Sequence, residues 1–279
     1  MKFAQKLVLK FLKAKLNLAA AVSEKKAAEK AFRIFSTPHF HNKDIHRAPA
    51  NGEALSFMLE GKTVRGQRWN HPQKDKVLII HGFESSYQYF DKYINDFIKK
   101  GYEVLAFDAP AHGSSDGKRL TLPVYIAMLQ KIYEDYGPIN KFMAHSLGGL
   151  ALTHFLETIP HTSETKVVLL APATETVSAV NSFFKLFGLK KSVRKEFDQL
   201  VLERAGVTAE YFSIRRALRH VSAQVLWFHD EGDRAAPVKD AIAVQKEGYA
   251  HVELIITHGL GHRKVYKDDK VRKRILEFL

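Results

Sequence analysis

The sequence predicts an α/β protein: a mostly parallel central sheet with helices on both faces and a short helical cap. Two patterns carry that prediction. Short, continuously apolar runs recur at 77–80, 104–107, 142–144, 167–171, 225–228 and 252–256. Helix-length segments separate most of them, near 88–100, 121–136, 147–159 and 237–248, with a last helix over 263–278. Strands buried on both faces of a parallel sheet read as unbroken apolar runs, whereas half-buried strands alternate.

Taken in order, residues 3–35 read as one helix whose apolar face continues through Ala27, Ala28, Ala31, Phe32 and Phe35, until Pro38 stops it. Near its start, Lys2, Lys6, Lys10 and Lys13 share one arc of about 80°, and Phe3, Leu7, Phe11, Ala14 and Leu18 share another face. Two readings follow. The apolar face packs on the body of the protein, the expected outcome because Lys15 interrupts it. Alternatively, residues 1–20 make weak peripheral contact with an anionic membrane. His39, His41 and His46 follow in a polar stretch with no acid or cysteine at a recognised metal spacing, and read as solvated loop. Residues 54–59 and 63–69 then form two strands around Glu60-Gly61-Lys62.

Composition narrows the function classes. The 279 residues contain no cysteine, which excludes disulfides, thiol catalysis and cysteine–zinc sites. The net charge is +13, but residues 1–50 hold 11 Lys/Arg against 3 Asp/Glu and residues 263–279 hold 7 against 3. Residues 51–262 hold 25 against 24, so the expected catalytic body is nearly neutral and no nucleic-acid partner is expected. No run is apolar enough to span a membrane, and the lysines of the first turns break up any secretory signal. A cytoplasmic protein, membrane-peripheral at most, is the expectation.

Between 171 and 225 the alternation fails: about fifty residues carry helical patterns rich in phenylalanine, including Phe183, Phe184, Phe187 and Phe197. An insertion after a strand end stands beside the ligand crevice of an open α/β sheet. Residues 174–219 therefore read as a cap, with Phe183 and Phe187 placed to wall an apolar pocket. The expected organisation is a basic helical extension over 1–50 and one domain over 51–279 that carries the cap.

Chemistry should sit just beyond the strand ends. The run 142–144 is followed by Ser146-Leu147-Gly148-Gly149 and a helix, which puts a serine on a tight strand-to-helix turn. Such a serine needs a base to take its proton and donors for the developing oxyanion. The backbone amides of Leu147 and of Phe83, in His81-Gly82-Phe83, are the candidate donors. After 225–228 come Asp230 and Asp233; Asp233 reaches farther into the crevice and is preferred as the acid, with Asp230 bracing the loop. After 252–256 come His258 and His262; His262, flanked by Gly261 and next to the last helix, is preferred as the base.

With these residues in view, the chain resembles the α/β-hydrolase superfamily over residues 52–279. The likeness rests on His81-Gly82-Phe83, on 107–115, on the serine turn, on Asp233 with Pro237, and on Gly261-His262. Ala111 and Ala144 stand where glycines are common in that family. The resemblance implies a Ser146–His262–Asp233 triad that acts through an acyl-serine with no cofactor or metal, on a small-molecule ester with a small or medium acyl group. A peptidase, thioesterase or acyltransferase on the same triad, and a ligand-binding member without turnover, remain alternatives.

Overall fold

The computed structural model describes residues 3–40 and 47–279, with residues 3–6 described by backbone alone. Its centre is an eight-stranded sheet in the order β1-β2-β4-β3-β5-β6-β7-β8. The strands are β1 (Glu53–Leu59), β2 (Lys62–Trp69), β3 (Lys76–Ile80), β4 (Glu103–Asp108), β5 (Lys141–His145), β6 (Lys166–Leu170), β7 (Gln224–Asp230) and β8 (Val252–Thr257). β1 and β2 form the expected hairpin and pair antiparallel at one edge, and β3 to β8 run parallel. All six residues of β4 are buried, as an interior strand with helices on both sides requires.

Helices α3 (Asp91–Lys99), α4 (Leu122–Tyr136), α5 (Leu147–Leu156) and α9 (Val238–Gln245) fill the predicted crossovers. Two apolar clusters lie on the two sides of the sheet. One gathers Leu78, Leu105, Phe142, Leu169 and Trp227 with α4 and α5; the other gathers Val77, Val104, Met143 and Leu226 with α3 and the C-terminal helix. Side chains of successive strand residues point to opposite faces, which divides Val77 from Leu78 and Phe142 from Met143.

The C-terminal segment departs from one continuous helix. It has a single turn, α10 (Gly261–Lys264), a 3-10 turn, and α11 (Asp269–Phe278). Asp268 starts α11 by accepting the Lys270 and Val271 amides, and such a cap interrupts a helix that composition alone would run through. The N-terminal helix is likewise two, α1 (Phe3–Val22) and α2 (Glu24–Ser36), broken where extended Ser23 caps α2.

The insertion holds α6 (Thr176–Phe187) and α7 (Lys191–Ala205). Its neck is closed by an antiparallel bridge between Glu175 and Ser213. The last part of the predicted segment, α8 (Ile214–Ala217), belongs to the body, where Ile214 and Leu218 are buried with Trp227. Four of the insertion's phenylalanines pack on the N-terminal helices. Phe184, Phe187 and Phe197 form a separate cluster with Leu16, Ala27, Ala28, Ala31 and Phe32 of α1 and α2, and Phe183 packs against it. Ring pairs Phe35–Phe183 at 5.4 Å and Phe184–Phe197 at 5.3 Å join the layers. The apolar stripe of α2 needed a partner, and α6 and α7 supply it.

The face of α1 that packs also differs from expectation. Leu9, Leu12, Leu16, Ala19 and Ala20 face the cluster, whereas Leu7, Phe11 and Leu18 are exposed. From residue 7 onward the packed arc contains no lysine, so it is buried without desolvating charge. Lys2, His41 and His46, and the side chains of Phe3 and Lys6, lie outside the description.

Candidate active site

Ser146 stands between β5 and α5 with φ 53° and ψ −123°, a conformation that costs a non-glycine residue on the order of 1–3 kcal/mol. Neighbouring backbone holds it there. The Ser146 amide donates to the Leu170 carbonyl (3.1 Å), and its carbonyl accepts from the Gly149 (2.9 Å) and Ala173 (3.0 Å) amides. The turn also relies on two close approaches. A β-carbon on Gly82 would stand 2.8 Å from the Ser146 Cβ, and one on Gly148 would stand 2.5 Å from the His81 carbonyl oxygen. Ala144, at the position where the family favours glycine, is fully buried and fits. Ala111 takes φ 70°, so alanine occupies a left-handed position there at the strain that glycine would avoid.

The structure brings the three candidate side chains into line. His262 Nε2 lies 3.0 Å from Ser146 Oγ, and His262 Nδ1 lies 2.8 Å from Asp233 Oδ2. Asp233 Oδ1 accepts the Ala235 and Ala236 amides at 2.8 and 2.9 Å, which aims the second oxygen at the imidazole. Burial pushes the Asp233 carboxyl up, but the hydrogen bond and charge of His262 and the two amides outweigh it and leave the pKa below the ordinary value. A carboxylate so held stays ionised near neutrality.

Asp230 takes a different place. Its Oδ2 accepts from Thr257 Oγ1 (3.0 Å) and the Leu260 amide (2.9 Å), and its Oδ1 accepts the Gly232 amide (3.0 Å). It therefore ties the loop after β7 to the loop that delivers His262. Gly259 (φ 75°) and Gly261 (φ 59°) let that second loop turn. His258 is exposed and pairs with Glu231 at 2.9 Å, away from the triad geometry.

Phe83 and Leu147 lie one residue beyond Gly82 and Ser146, respectively. Among the described residues, neither backbone amide has a protein acceptor. The loop carrying Phe83 is braced by neutral histidines. His81 Nδ1 donates to the Gly82 carbonyl (2.7 Å) while its Nε2 accepts the Ala109 amide (2.9 Å), and burial lowers its pKa to about 4. His112 Nε2 accepts the Glu84 amide at 3.1 Å.

Sequence reasoning passed over His145. Its Nε2 donates to the His262 carbonyl (2.9 Å), and its ring centroid lies 4.9 Å from the His262 ring and 4.8 Å from the Tyr266 ring. Burial first, and the charge of His262 second, lower its pKa to about 3, so it is a neutral donor that positions the backbone of the candidate base. The only signal in the sequence was its adjacency to Ser146; a partner 117 residues away leaves no pattern. Among the described residues, no group of three His, Asp or Glu side chains comes together as a metal ion would need.

Comparison with known proteins places the chain in a family. The family model described as "Serine aminopeptidase, S33" matches residues 71–211, half of the chain. The chain belongs to that family and has the α/β-hydrolase fold. It is 24% identical over 131 residues to a "probable serine hydrolase" of Drosophila melanogaster, which covers 45% of this chain and 39% of that protein. The chain thus matches about two fifths of the length of that curated relative. Among solved structures, an esterase of Pyrococcus furiosus is similar with TM-score 0.60 and 19% identity, over 86% of this chain and 97% of that one. Mouse alpha/beta hydrolase domain-containing protein 10 is similar with TM-score 0.60 and 18% identity, over 81% and 96%.

Proposed function

We propose that this protein cleaves an ester of a small or medium acyl group through an acyl-serine, with Ser146 as nucleophile, His262 as base and Asp233 as the acid that orients it. The observation that carries the reading is the continuous line Asp233–His262–Ser146, at 2.8 and 3.0 Å, on a turn held at positive φ. With Asp233 accepting the Nδ1 proton, His262 presents its Nε2 lone pair to the Ser146 hydroxyl. The hydroxyl proton passes to Nε2 as Oγ attacks the carbonyl carbon, and the oxyanion takes hydrogen bonds from the Phe83 and Leu147 amides. Nε2 then hands the proton to the leaving alkoxide. Water attacks the acyl-enzyme through the same base, releasing the acid and restoring Ser146. Every proton moves through residues of this chain.

A second reading, an aminopeptidase on the same triad, is favoured by the description of the family model. It calls for a free carboxylate to hold a substrate ammonium. Of the three acids in α7 that could serve, Asp198 already accepts both contacts from Arg194 Nε (2.7 and 2.8 Å), and Glu203 accepts from Gln199 (3.2 Å), which leaves Glu196. Kinetics on aryl esters of increasing acyl length, beside aminoacyl arylamides, separate the two readings. The expected result is turnover of short and medium esters, lost by about a million-fold in Ser146→Ala with unchanged melting. Preference for the arylamides would replace the ester reading, and near-normal activity of the alanine variant would remove Ser146 from its role.

A further inference from the structure

α1 has two apolar faces and only one of them has a partner. At about 100° per residue, Leu9, Leu12, Leu16, Ala19 and Ala20 share one arc, and Leu7, Phe11, Ala14, Leu18 and Val22 share the opposite one. The first arc packs on the cluster shared with α2, α6 and α7, where Leu16 is 0% exposed. The second faces outward, with Leu7 61%, Phe11 57%, Leu18 70% and Val22 69% exposed. With Val8, these make five of the ten exposed large apolar side chains among the described residues. Scattered surface leucines need no explanation, but a row of them along one helix does.

The rim of the outer face is basic on both sides. Lys10 and Lys13 lie along one edge and Lys15 along the other, and the Lys15 ammonium sits 4.3 Å from the centroid of the Phe11 ring. Lys15 therefore borders the apolar face with its ammonium over the Phe11 ring, a cation–π contact. The patch reaches the neighbouring helix: Lys13 lies beside Gly188 at the end of α6, two residues from Leu186, which is 57% exposed.

We propose that this outer face of α1 docks the protein onto an anionic lipid bilayer, the helix lying in the interface with Phe11 and Leu18 inserted and the lysine rim against the headgroups. Charge selects this occupant. Residues 1–23 include five lysines and no acid, so a second copy meeting the same face would oppose lysine to lysine. A bilayer with anionic lipid offers apolar depth below and negative charge at the rim. No helix among the described residues is long and apolar enough to cross a membrane, which fits a helix that lies on the surface. The inner face meanwhile fastens α1 to the cluster it shares with α2, α6 and α7, so docking holds the insertion next to the bilayer. The inference does not depend on the chemistry proposed for Ser146.

The test is co-sedimentation of the full chain with vesicles of phosphatidylcholine alone and of equal parts phosphatidylcholine and phosphatidylserine. Sedimentation with the anionic vesicles only, weakened by added salt, is expected. Phe11→Glu with Leu18→Glu should reduce it about tenfold or more while melting and aryl-ester hydrolysis stay unchanged, because both side chains are exposed. Lys10→Gln with Lys13→Gln removes rim charge without touching the apolar row, and should weaken binding several-fold at low salt. Equal binding by wild type and the Phe11/Leu18 variant would overturn the proposal, as would no binding to anionic vesicles. So would a concentration-dependent dimer that Leu18→Glu dissolves, since the face would then pair copies of the chain.

Discussion

The sheet and the helical layer formed by α1, α2, α6 and α7 solve the problem of burial differently. In the sheet, neighbouring strands hold each strand by a fixed register, and both faces are covered, so the residue after each strand end has little freedom. Ser146, Asp233 and His262 all lie just beyond strand ends, β5, β7 and β8, and they meet within hydrogen-bond distance. In the helical layer, apolar stripes find each other with no such register. α1 has two stripes, uses one and leaves the other in solvent. Precision of placement belongs to the first region, and freedom to take an outside partner belongs to the second.

The sharpest break within the sheet region is between its two aspartates. Asp233→Asn should lower turnover by about ten-thousand-fold, because an amide can leave His262 in the wrong tautomer. Asp230→Asn should keep most turnover and lower the melting temperature, since Asp230 holds the Leu260 amide and Thr257 rather than the imidazole. Matched kinetics and melting curves decide it; the reverse pattern would exchange the two roles.

Acid should expose a weakness of the same region. Burial lowers the pKa of His81 to about 4 and, together with the charge of His262, that of His145 to about 3. The unfolded chain binds these protons near pH 6.5, so stability is fully present above that value and falls as pH drops toward the folded-state values. Each histidine contributes a slope of up to about 1.4 kcal/mol per pH unit in that window. Melting measured from pH 7 to pH 5 should fall steadily. His145→Asn, which can keep a donor while removing the titration, should flatten the curve. A flat wild-type curve would mean that neither imidazole is held neutral.

The helical layer is tested by two leucines on one helix. Leu16→Ala should destabilise by about 2–5 kcal/mol, the cost of a cavity in a packed cluster. Leu18→Ala, on the exposed side, should change stability by less than about 0.5 kcal/mol. Equal effects in denaturant titration would mean that the layer does not distinguish the two faces of α1.

The two regions were also unequally legible in the sequence. The strands announced themselves because burial on both faces forces continuous apolar runs, and their ends then located the candidate residues. Helix breaks at Ser23 and Asp268 were hidden, because a single capping side chain decides them and the surrounding composition stays helical. The destination of Phe183 and Phe187 was hidden for a different reason. An amphipathic helix declares that it has an apolar face, not which surface covers it, and here the cover comes from residues about 150 positions earlier. His145 escaped notice because its contribution is a hydrogen bond to a distant backbone carbonyl.

The most direct measurement is the intact mass of the protein after exposure to a fluorophosphonate, followed by peptide mapping. A serine activated by His262 and Asp233 should take up one phosphonyl group at Ser146, slowly in His262→Ala and not at all in Ser146→Ala. Labelling at another residue, or no labelling of a folded wild-type protein, would contradict the assignment of Ser146 as the nucleophile.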